Sequence, residues 1–169
     1  MAIAHLNGVT VEELRSGIAS FKGSHRRFEK VLDTERVVLI DDYAHHPVEL
    51  DAAIRSVREI YSGKHIMGIF QPHLYSRTAD FYQDFARSLS MLDEVVLLDI
   101  YPARELPLPG VTSRLILDLI ENPNKTLVSK NDLLDYLHGN EIPDVVLILG
   151  AGDIDRLVIP VKQYLQTLC

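Results

Sequence analysis

The chain alternates between short apolar runs and segments whose apolar residues recur at helical spacing. Four of the runs are almost unbroken, which is typical of strands buried on both faces of a sheet: VVLI, HIMGIF, VVLLDI and DVVLILG. Two shorter segments, FEKVL and TLV, are also strand-like. The DTE segment between FEKVL and RVVLIDD suits a hairpin, so the first two strands are expected to pair directly.

Segments with helical periodicity separate the strands. Pro47 is expected to begin the first of these helices, because proline favours the first helical turn, and Gly63 to end it. The apolar positions of this helix and the next are Leu50, Ala53, Ile54, Val57, Ile60, Phe81, Phe85, Leu89 and Leu92.

Three shorter helices are predicted in the second half of the chain. Thr112 is expected to cap a helix that carries Leu115, Ile116 and Leu119, and a further helix is predicted over 129–138. A final helix follows GAGD, and Pro160 is expected to kink or split it. The segment YPARELPLPG contains three prolines and is predicted to be irregular.

Strands that alternate with helices indicate right-handed βαβ units. The expected fold is therefore a Rossmann-like α/β domain, with a mostly parallel sheet covered by helices on both faces. Ligands bind such sheets beyond the carboxyl ends of the strands. Four polar segments follow predicted strands and are expected to share that edge of the sheet: DDYAHHP, QPHLYSRT, DIYPARE and GAGD.

The first 23 residues differ from this pattern. MAIAHLNG is predicted to be the end of a helix closed by Gly8, and VTVEELRSGIASF a short helix with Thr10 and Glu13 as a capping box. Its apolar residues, Leu14, Ile18 and Phe21, share one face. A chain that starts inside a helix is expected to be part of a larger protein, with KGSHRR at 22–27 as a linker.

Composition narrows the functional classes. Hydrophobic residues make up 47% of the 169 and charged residues 24%, as in ordinary globular domains. The net charge of −7 argues against a nucleic-acid-binding surface, which needs a dominant basic face. No apolar run approaches the length of a membrane span. The single cysteine, Cys169, leaves no disulfide and fits a reducing cytoplasm.

The acidic and histidine residues of the rim allow more than one interpretation. Asp41, Asp42, His45, His46 and His73 could hold a metal, or could cap the following helix and solvate the loop. A tight zinc site is not expected, because there is no HxxxH pair and adjacent histidines point in different directions. A carboxylate at a strand end, such as Asp42, is how many α/β nucleotide sites hold sugar hydroxyls.

Arginines supply candidate anion-binding groups. Arg77 follows His73 by four residues, and Arg26 and Arg27 lie in the linker. A cation at the start of a helix opposes the helix dipole, so Arg77 is interpreted as an anion ligand in preference to a solvated helix start.

Several catalytic motifs are absent from these residues. There is no GxxxxGK[ST] phosphate-binding loop and no GxSxG nucleophile elbow, and GAGD lacks the full GxGxxG because position 155 is aspartate. The residues therefore predict neither a phosphate-binding loop nor a nucleophile elbow.

Taken in order, DDYAHHP, FQPHLYSRT, YPARELPLPGVTS and GAGDI resemble the C-terminal domain of the Mur ligases over residues 26–169. Residues 1–23 resemble the last helices of the preceding central, ATP-binding domain in that family, which leaves 24–169 as the C-terminal domain. The tyrosine of DDYAHHP favours the branch that joins L-alanine to UDP-N-acetylmuramate over the related peptide-recycling branch, which tends to carry phenylalanine there.

The resemblance implies ATP-dependent amide formation through an acyl phosphate, as a step in peptidoglycan precursor synthesis. It implies ATP and Mg²⁺, held mainly by the central domain, with no catalytic residue and no metal ligand in this fragment. The implied partners are UDP-N-acetylmuramate, L-alanine and the remaining domains of the same polypeptide, and neither nucleic acid nor membrane.

The resemblance also assigns residues. Arg27 and Asp42 would hold the ribose of ATP, and Tyr43 and His45 would line that site. His73 and Arg77 would take the carboxylate of the amino acid, with Tyr43 nearby.

One position departs from the family pattern, and two other functions stay open. Many members carry arginine where this chain has Leu74, so the carboxylate would rest on Arg77 and His73 alone. The chain could instead be a non-catalytic nucleotide-binding or interaction domain, or part of a related ligase for another amino acid or peptide.

Overall fold

A computed structural model describes residues 2–21 and 23–169. Met1 and Lys22, which belong to the predicted first helix and the predicted linker, lie outside the described residues. The strands are β1 (Glu29–Asp33), β2 (Val38–Asp42), β3 (Ile66–Phe70), β4 (Glu94–Leu97), β5 (Lys125–Leu127) and β6 (Val145–Leu149). The helices are α1 (Ala2–Leu6), α2 (Val11–Ser20), α3 (Pro47–Ile60), α4 (Tyr75–Leu89), α5 (Arg114–Leu117), α6 (Leu133–Gly139) and α7 (Asp155–Gln166).

In the described part of the chain the strands form one six-stranded sheet in the order β1-β2-β6-β3-β4-β5. β1 pairs with β2 antiparallel, as the hairpin prediction required, and the other pairs are parallel. β6 is the last strand in sequence but lies between β2 and β3. The polar segments that follow these strands therefore meet at one edge, and the predicted α/β class is confirmed.

The apolar runs form strands because both of their faces are covered. Every residue of β3 and β6 is buried. One face of β6, with Val145, Leu147 and Leu149, packs in the cluster that contains the apolar residues of α3, α4 and α5. The other face, with Val146 and Ile148, packs with α6 and α7. The burial of both layers fixes the register of the sheet and so the position of its carboxyl edge.

Three details of the predicted helices are corrected. α5 is only four residues long, and Ser113 rather than Thr112 precedes it. Ser113 is buried and its hydroxyl donates to the carbonyl of Leu98 at 2.6 Å, so this turn is held by the neighbouring strand end. Leu119 lies outside the helix and is 47% exposed. α4 ends at Leu89, and Leu92 packs in the core from the following turn.

Pro160 does not split the last helix, because α7 runs through it from Asp155 to Gln166 as one helix. Val158, Val161 and Leu165 are buried on both sides of the proline. This continuous apolar face against the sheet keeps the two halves together despite the lost backbone hydrogen bond.

The two N-terminal helices stand apart from the core. The predicted capping box is present, with Thr10 and Glu13 bonded in both directions. Neither α1 nor α2 contains a buried residue, and Ile18 and Phe21 are 56% and 68% exposed. Among the described residues, no helix has the length and apolarity needed to cross a membrane.

Candidate functional site

The carboxyl edge of the sheet carries a row of aromatic rings. The ring centroids of Tyr43 and His45 are 5.1 Å apart, and those of His45 and His73 are 5.8 Å apart. His73 in turn stacks on Tyr101 at 5.7 Å with an interplanar angle of 29°. The predicted rim is thus one continuous surface that runs from the end of β2 to the segment after β4.

The DDYAHHP segment is held by hydrogen bonds between side-chain carboxylates and backbone amides. Asp42 ends β2, and its two oxygens accept the amides of Phe28 at 2.7 Å and Ala44 at 2.8 Å. The Glu49 carboxylate accepts the amides of His45 and His46 and caps the start of α3. Nδ1 of His46 accepts the amide of Val48 at 3.4 Å, so the predicted capping role of this loop is confirmed. This arrangement leaves the Tyr43 ring exposed. It also leaves each Asp42 oxygen with a lone pair that accepts no hydrogen bond from the backbone.

Arg26 and Arg27, adjacent in sequence, occupy opposite environments. Arg26 is buried, and its guanidinium binds Asp41 and the carbonyl of Gly150. Burial raises the pKa of Asp41 above its ordinary value, although the hydrogen bond and charge of Arg26 oppose that shift. Arg27 is exposed, and its guanidinium lies 5.6 Å from the centroid of the Tyr43 ring.

His73 and Arg77 form the second polar pair of the rim. Nη1 of Arg77 lies 3.2 Å from Nδ1 of His73. Burial, and then the charges of Arg77 and His45, lower the pKa of His73 below its ordinary value. A neutral ring accepts from Arg77 through Nδ1, so its proton sits on Nε2. Arg77 is half-buried, and neither it nor Arg27 belongs to an ion pair of the described chain.

The start of α4 is capped from a distant loop. Leu74, which precedes the helix, has a φ of 73° and supplies no side-chain cap. The carboxylate of Glu105 accepts both the amide and the hydroxyl of Ser76 instead. These hydrogen bonds lower the pKa of Glu105. The proline-rich loop thereby holds the turn that carries Arg77.

The GAGD turn approaches this surface closely because Gly152 has no side chain. A Cβ at Gly152 would lie 2.6 Å from Oε1 of Gln71 and 2.7 Å from Cβ of Tyr101. Nε2 of Gln71 donates to Asp153 at 3.0 Å, and Lys130 pairs with the same carboxylate. Although burial opposes it, these hydrogen bonds hold the pKa of Asp153 below its ordinary value.

The structure brings the predicted site residues to one rim. Arg27, Tyr43 and His45 lie at one end of the aromatic row, and His73 and Arg77 at the other. Asp41 is withdrawn from the surface by its pairing with Arg26. No group of three or more His, Cys, Asp or Glu side chains in 2–21 and 23–169 is arranged to hold a metal ion.

The sequence did not indicate the structural roles of four residues at the rim: Arg26, Gln71, Tyr101 and Glu105. Arg26 was assigned to the linker, and nothing in its local sequence indicates burial. Gln71 directly follows β3, and Tyr101 directly follows the predicted strand VVLLDI, so their positions were an available signal. The Glu105–Ser76 contact spans 29 residues and has no periodic signature.

A cavity of about 860 Å³ opens at the opposite, amino edge of the sheet. Glu94 and Tyr136 lie in its wall and bond to each other at 3.0 Å. Burial and this hydrogen bond raise the pKa of Tyr136 to about 12. The cavity shares no residue with the aromatic row, so it is separate from the predicted site.

Comparison with known proteins defines the class. A family model described as Mur ligase, glutamate ligase domain, matches residues 26–152, and the chain belongs to that family. The matched residues run from the buried Arg26 to the GAGD turn and so include the whole rim.

Individual relatives agree. The chain is 99% identical over all 169 residues to UDP-N-acetylmuramate–L-alanine ligase from Porphyromonas gingivalis strain W83. It spans 37% of that relative's length.

Two solved structures share the fold. UDP-N-acetylmuramate-alanine ligase MurC from Thermotoga maritima superposes with a TM-score of 0.77 at 27% identity, covering 98% of this chain and 36% of that one. A bifunctional folylpolyglutamate synthase/dihydrofolate synthase from Yersinia pestis, complexed with AMPPNP and Mn ion, has a TM-score of 0.64 at 17% identity over 94% of this chain and 35% of that one. The second likeness shows the fold alone.

Proposed function

We propose that this chain is the C-terminal domain of an ATP-dependent ligase that joins L-alanine to UDP-N-acetylmuramate. The observation that carries the proposal is the 99% identity of the entire chain to a relative of that name. The rim supports it independently, because it offers an exposed aromatic ring and two arginines outside the ion pairs of the domain. Such groups suit a nucleotide and a carboxylate.

The reaction of the intact enzyme would proceed in two steps. The lactyl carboxylate of UDP-N-acetylmuramate takes the γ-phosphoryl group of ATP, which gives an acyl phosphate and ADP. The amine of L-alanine then attacks the acyl carbon, the amide bond forms, and phosphate leaves with its bonding electrons. Neutralising the phosphates is the role of Mg²⁺ in such reactions. In the described residues, no cluster of carboxylates and histidines suits that ion. Most of the ligands of Mg²⁺ would therefore come from the rest of the enzyme.

One end of the rim would hold the adenosine part of ATP. Asp42 can accept the ribose hydroxyls with the lone pairs that its two backbone contacts leave free. Arg27 would donate to the same sugar. Tyr43, exposed beside that guanidinium, and His45 would line the site.

The other end of the rim would hold L-alanine. Arg77 supplies the charge for its carboxylate, and the neutral His73 supplies an Nε2–H donor. Tyr43 lies two rings away along the row through His45. Leu74 has no group to add, so recognition would rest on Arg77 and His73.

The remainder of the polypeptide would complete the active site. We assign residues 1–23 to the end of the central domain and 24–169 to the C-terminal domain. Support comes from α1 and α2, which expose their apolar residues and bury none. The domain would position ATP and amine by closing over the site, and would not catalyse the reaction alone. The nucleotide substrates and the single free cysteine suit the cytoplasm.

A phosphate-release assay on the intact enzyme tests the proposal. Release should require ATP, UDP-N-acetylmuramate and L-alanine together, and omission of any one should abolish it. Matched assays with glycine, L-serine and D-glutamate separate this ligase from relatives with another amino acid. Turnover that prefers one of those, or a short peptide, would contradict the proposal.

A further inference from the structure

Arg26 is an arginine buried at the junction of three segments. It is 8% exposed. Its Nε donates to Oδ2 of Asp41 at 2.9 Å, and its Nη2 lies 3.4 Å from Oδ1 of the same carboxylate. The same Nη2 donates to the carbonyl of Gly150 at 2.6 Å. The side chain therefore joins the end of the linker to the end of β2 and to the turn after β6.

The backbone around Arg26 is held in an unfavourable conformation. Arg26 and Phe28 have φ values of 54° and 48°, in the left-handed region that favours glycine. Arg27 sits between them. Non-glycine residues keep such values only where the surroundings fix them, which is common at ligand sites.

Hydrogen bonds on both sides provide that fixation. The amide of Arg26 donates to Glu29 at 2.7 Å, and its carbonyl accepts the amide of Tyr43 at 2.8 Å. The amide of Phe28 donates to Asp42 at 2.7 Å. Segment 26–28 is thus locked onto the first residues after β2. Arg27 and Tyr43, whose side chains face each other, are carried by the two locked segments.

Stability alone does not explain a buried ion pair here. The desolvation penalty of such a pair commonly offsets its attraction, so apolar residues could fill the same space equally well. What apolar residues could not do is fix the direction of three segments at once. The guanidinium of Arg26 also lies 5.3 Å from the centroid of the Tyr43 ring, and the guanidinium of the exposed Arg27 lies near the same ring.

We propose that Arg26, through its pairing with Asp41 and Gly150, is a positioning residue for the nucleotide. It sets the geometry of Arg27 and Tyr43 and anchors both to the GAGD turn. Arg26 itself need not touch ATP. The inference rests on the proposed function, because it concerns the end of the rim assigned to adenosine.

The test uses the intact enzyme and two variants at the junction. Arg26→Lys keeps the charge but loses the planar fork that reaches Asp41 and Gly150 together. Asp41→Asn keeps one acceptor oxygen for Arg26 and removes the carboxylate charge. We expect the KM for ATP to rise about tenfold or more in Arg26→Lys and by a smaller factor in Asp41→Asn. The KM for L-alanine should stay within about twofold.

Arg58→Lys is the matched control. Arg58 makes the same kind of contacts, with Asp93 and the carbonyl of Met91, at the other edge of the sheet. It should lower Tm without changing the KM for ATP. If the Arg26 and Asp41 variants behave like Arg58→Lys, or raise both KM values equally, Arg26 is only structural and the inference is wrong. If the wild-type enzyme shows no alanine-dependent turnover, that result would instead contradict the proposed function.

Discussion

The protonation state of His73 follows from its neighbours. Burial, and then the neighbouring Arg77 and His45, hold its pKa below the ordinary value, and Arg77 donates to its Nδ1. The neutral ring can accept that hydrogen bond, whereas the protonated ring would place a second donor against the guanidinium. The proposed recognition of a carboxylate by this pair therefore depends on His73 staying neutral.

This dependence predicts the effect of pH on amino-acid use. Because the pKa of His73 is lowered, the ring is neutral at pH 7 and above. In that range this pair should cause no change in the KM for L-alanine with pH. As pH falls below the ordinary value of 6.5 and through the lowered pKa, the ring charges, its bond to Arg77 breaks, and the KM should rise. Steady-state kinetics from pH 5 to 8 measure it, with His73→Asn as the variant that should lose the acidic rise. Tighter alanine use at acidic pH would contradict the neutral assignment.

Some residues of the rim could be predicted from the sequence, and others could not. Asp42 ends β2, Tyr43 directly follows it and His73 lies shortly after β3, so the α/β rule placed these residues at one edge correctly. The burial of Arg26 and the cap from Glu105 depend on contacts across 15 and 29 residues, which no local pattern encodes. Their partners became visible only once the sheet order was known.

At the scale of elements, one junction ties a helix to two strands at the amino edge. Arg58 in α3 reaches both oxygens of Asp93, and the amide of Ile66 at the start of β3 donates to the same carboxylate. Although partial burial opposes it, these contacts lower the pKa of Asp93. Asp93 therefore stabilises the fold in its ionised form.

The stability of this junction should depend on pH in a defined direction. A lowered pKa gives stability that is present above the ordinary value of 3.8 and is lost as pH falls through the folded value. Asp93→Asn should cost about 1 kcal/mol at pH 7, a figure reduced for solvent screening of this partly exposed pair. The difference from wild type should shrink below about pH 4. Urea melts at pH 7 and pH 3.5 measure it, with the exposed Asp51→Asn as control. An equal loss at both values would rule out the ionised carboxylate as the cause.

The elements also show where sequence patterns succeed. Unbroken apolar runs predicted the buried strands, since little else accommodates four or five such residues in succession. The extent of α5 was predicted wrongly, and the split of α7 that Pro160 could have caused does not occur, because tertiary contacts decide both. In α5 a buried Ser113 is bound to a strand end, and in α7 a shared apolar face outweighs the proline.

At the scale of the molecule, the domain has a complete core and is proposed to form only one wall of the active site. Its sheet is buried on both faces, while its 169 residues contain no phosphate-binding loop motif. The isolated chain should therefore melt cooperatively and show no ATP hydrolysis above background. Calorimetry together with a coupled ADP assay checks both, with the intact enzyme as the positive control. Hydrolysis by the pure chain would place catalysis here and not in the remainder of the polypeptide.

The rim is proposed to hold two ligands at its two ends, and paired kinetics on the intact enzyme test this most directly. Asp42→Asn keeps the shape of the side chain but removes a charge worth roughly 1.5–3 kcal/mol per hydrogen bond, and Arg77→Ala removes the carboxylate ligand. Arg87→Ala, an exposed change further along α4, is the control. We expect Asp42→Asn to raise the KM for ATP about tenfold and to leave the KM for L-alanine unchanged. We expect Arg77→Ala to raise the KM for L-alanine and to leave the KM for ATP unchanged. In Arg77→Ala, acyl-phosphate formation should stay intact and Tm should change little. If both variants raise the same KM, or leave both unchanged, the rim does not hold two substrates in the way proposed.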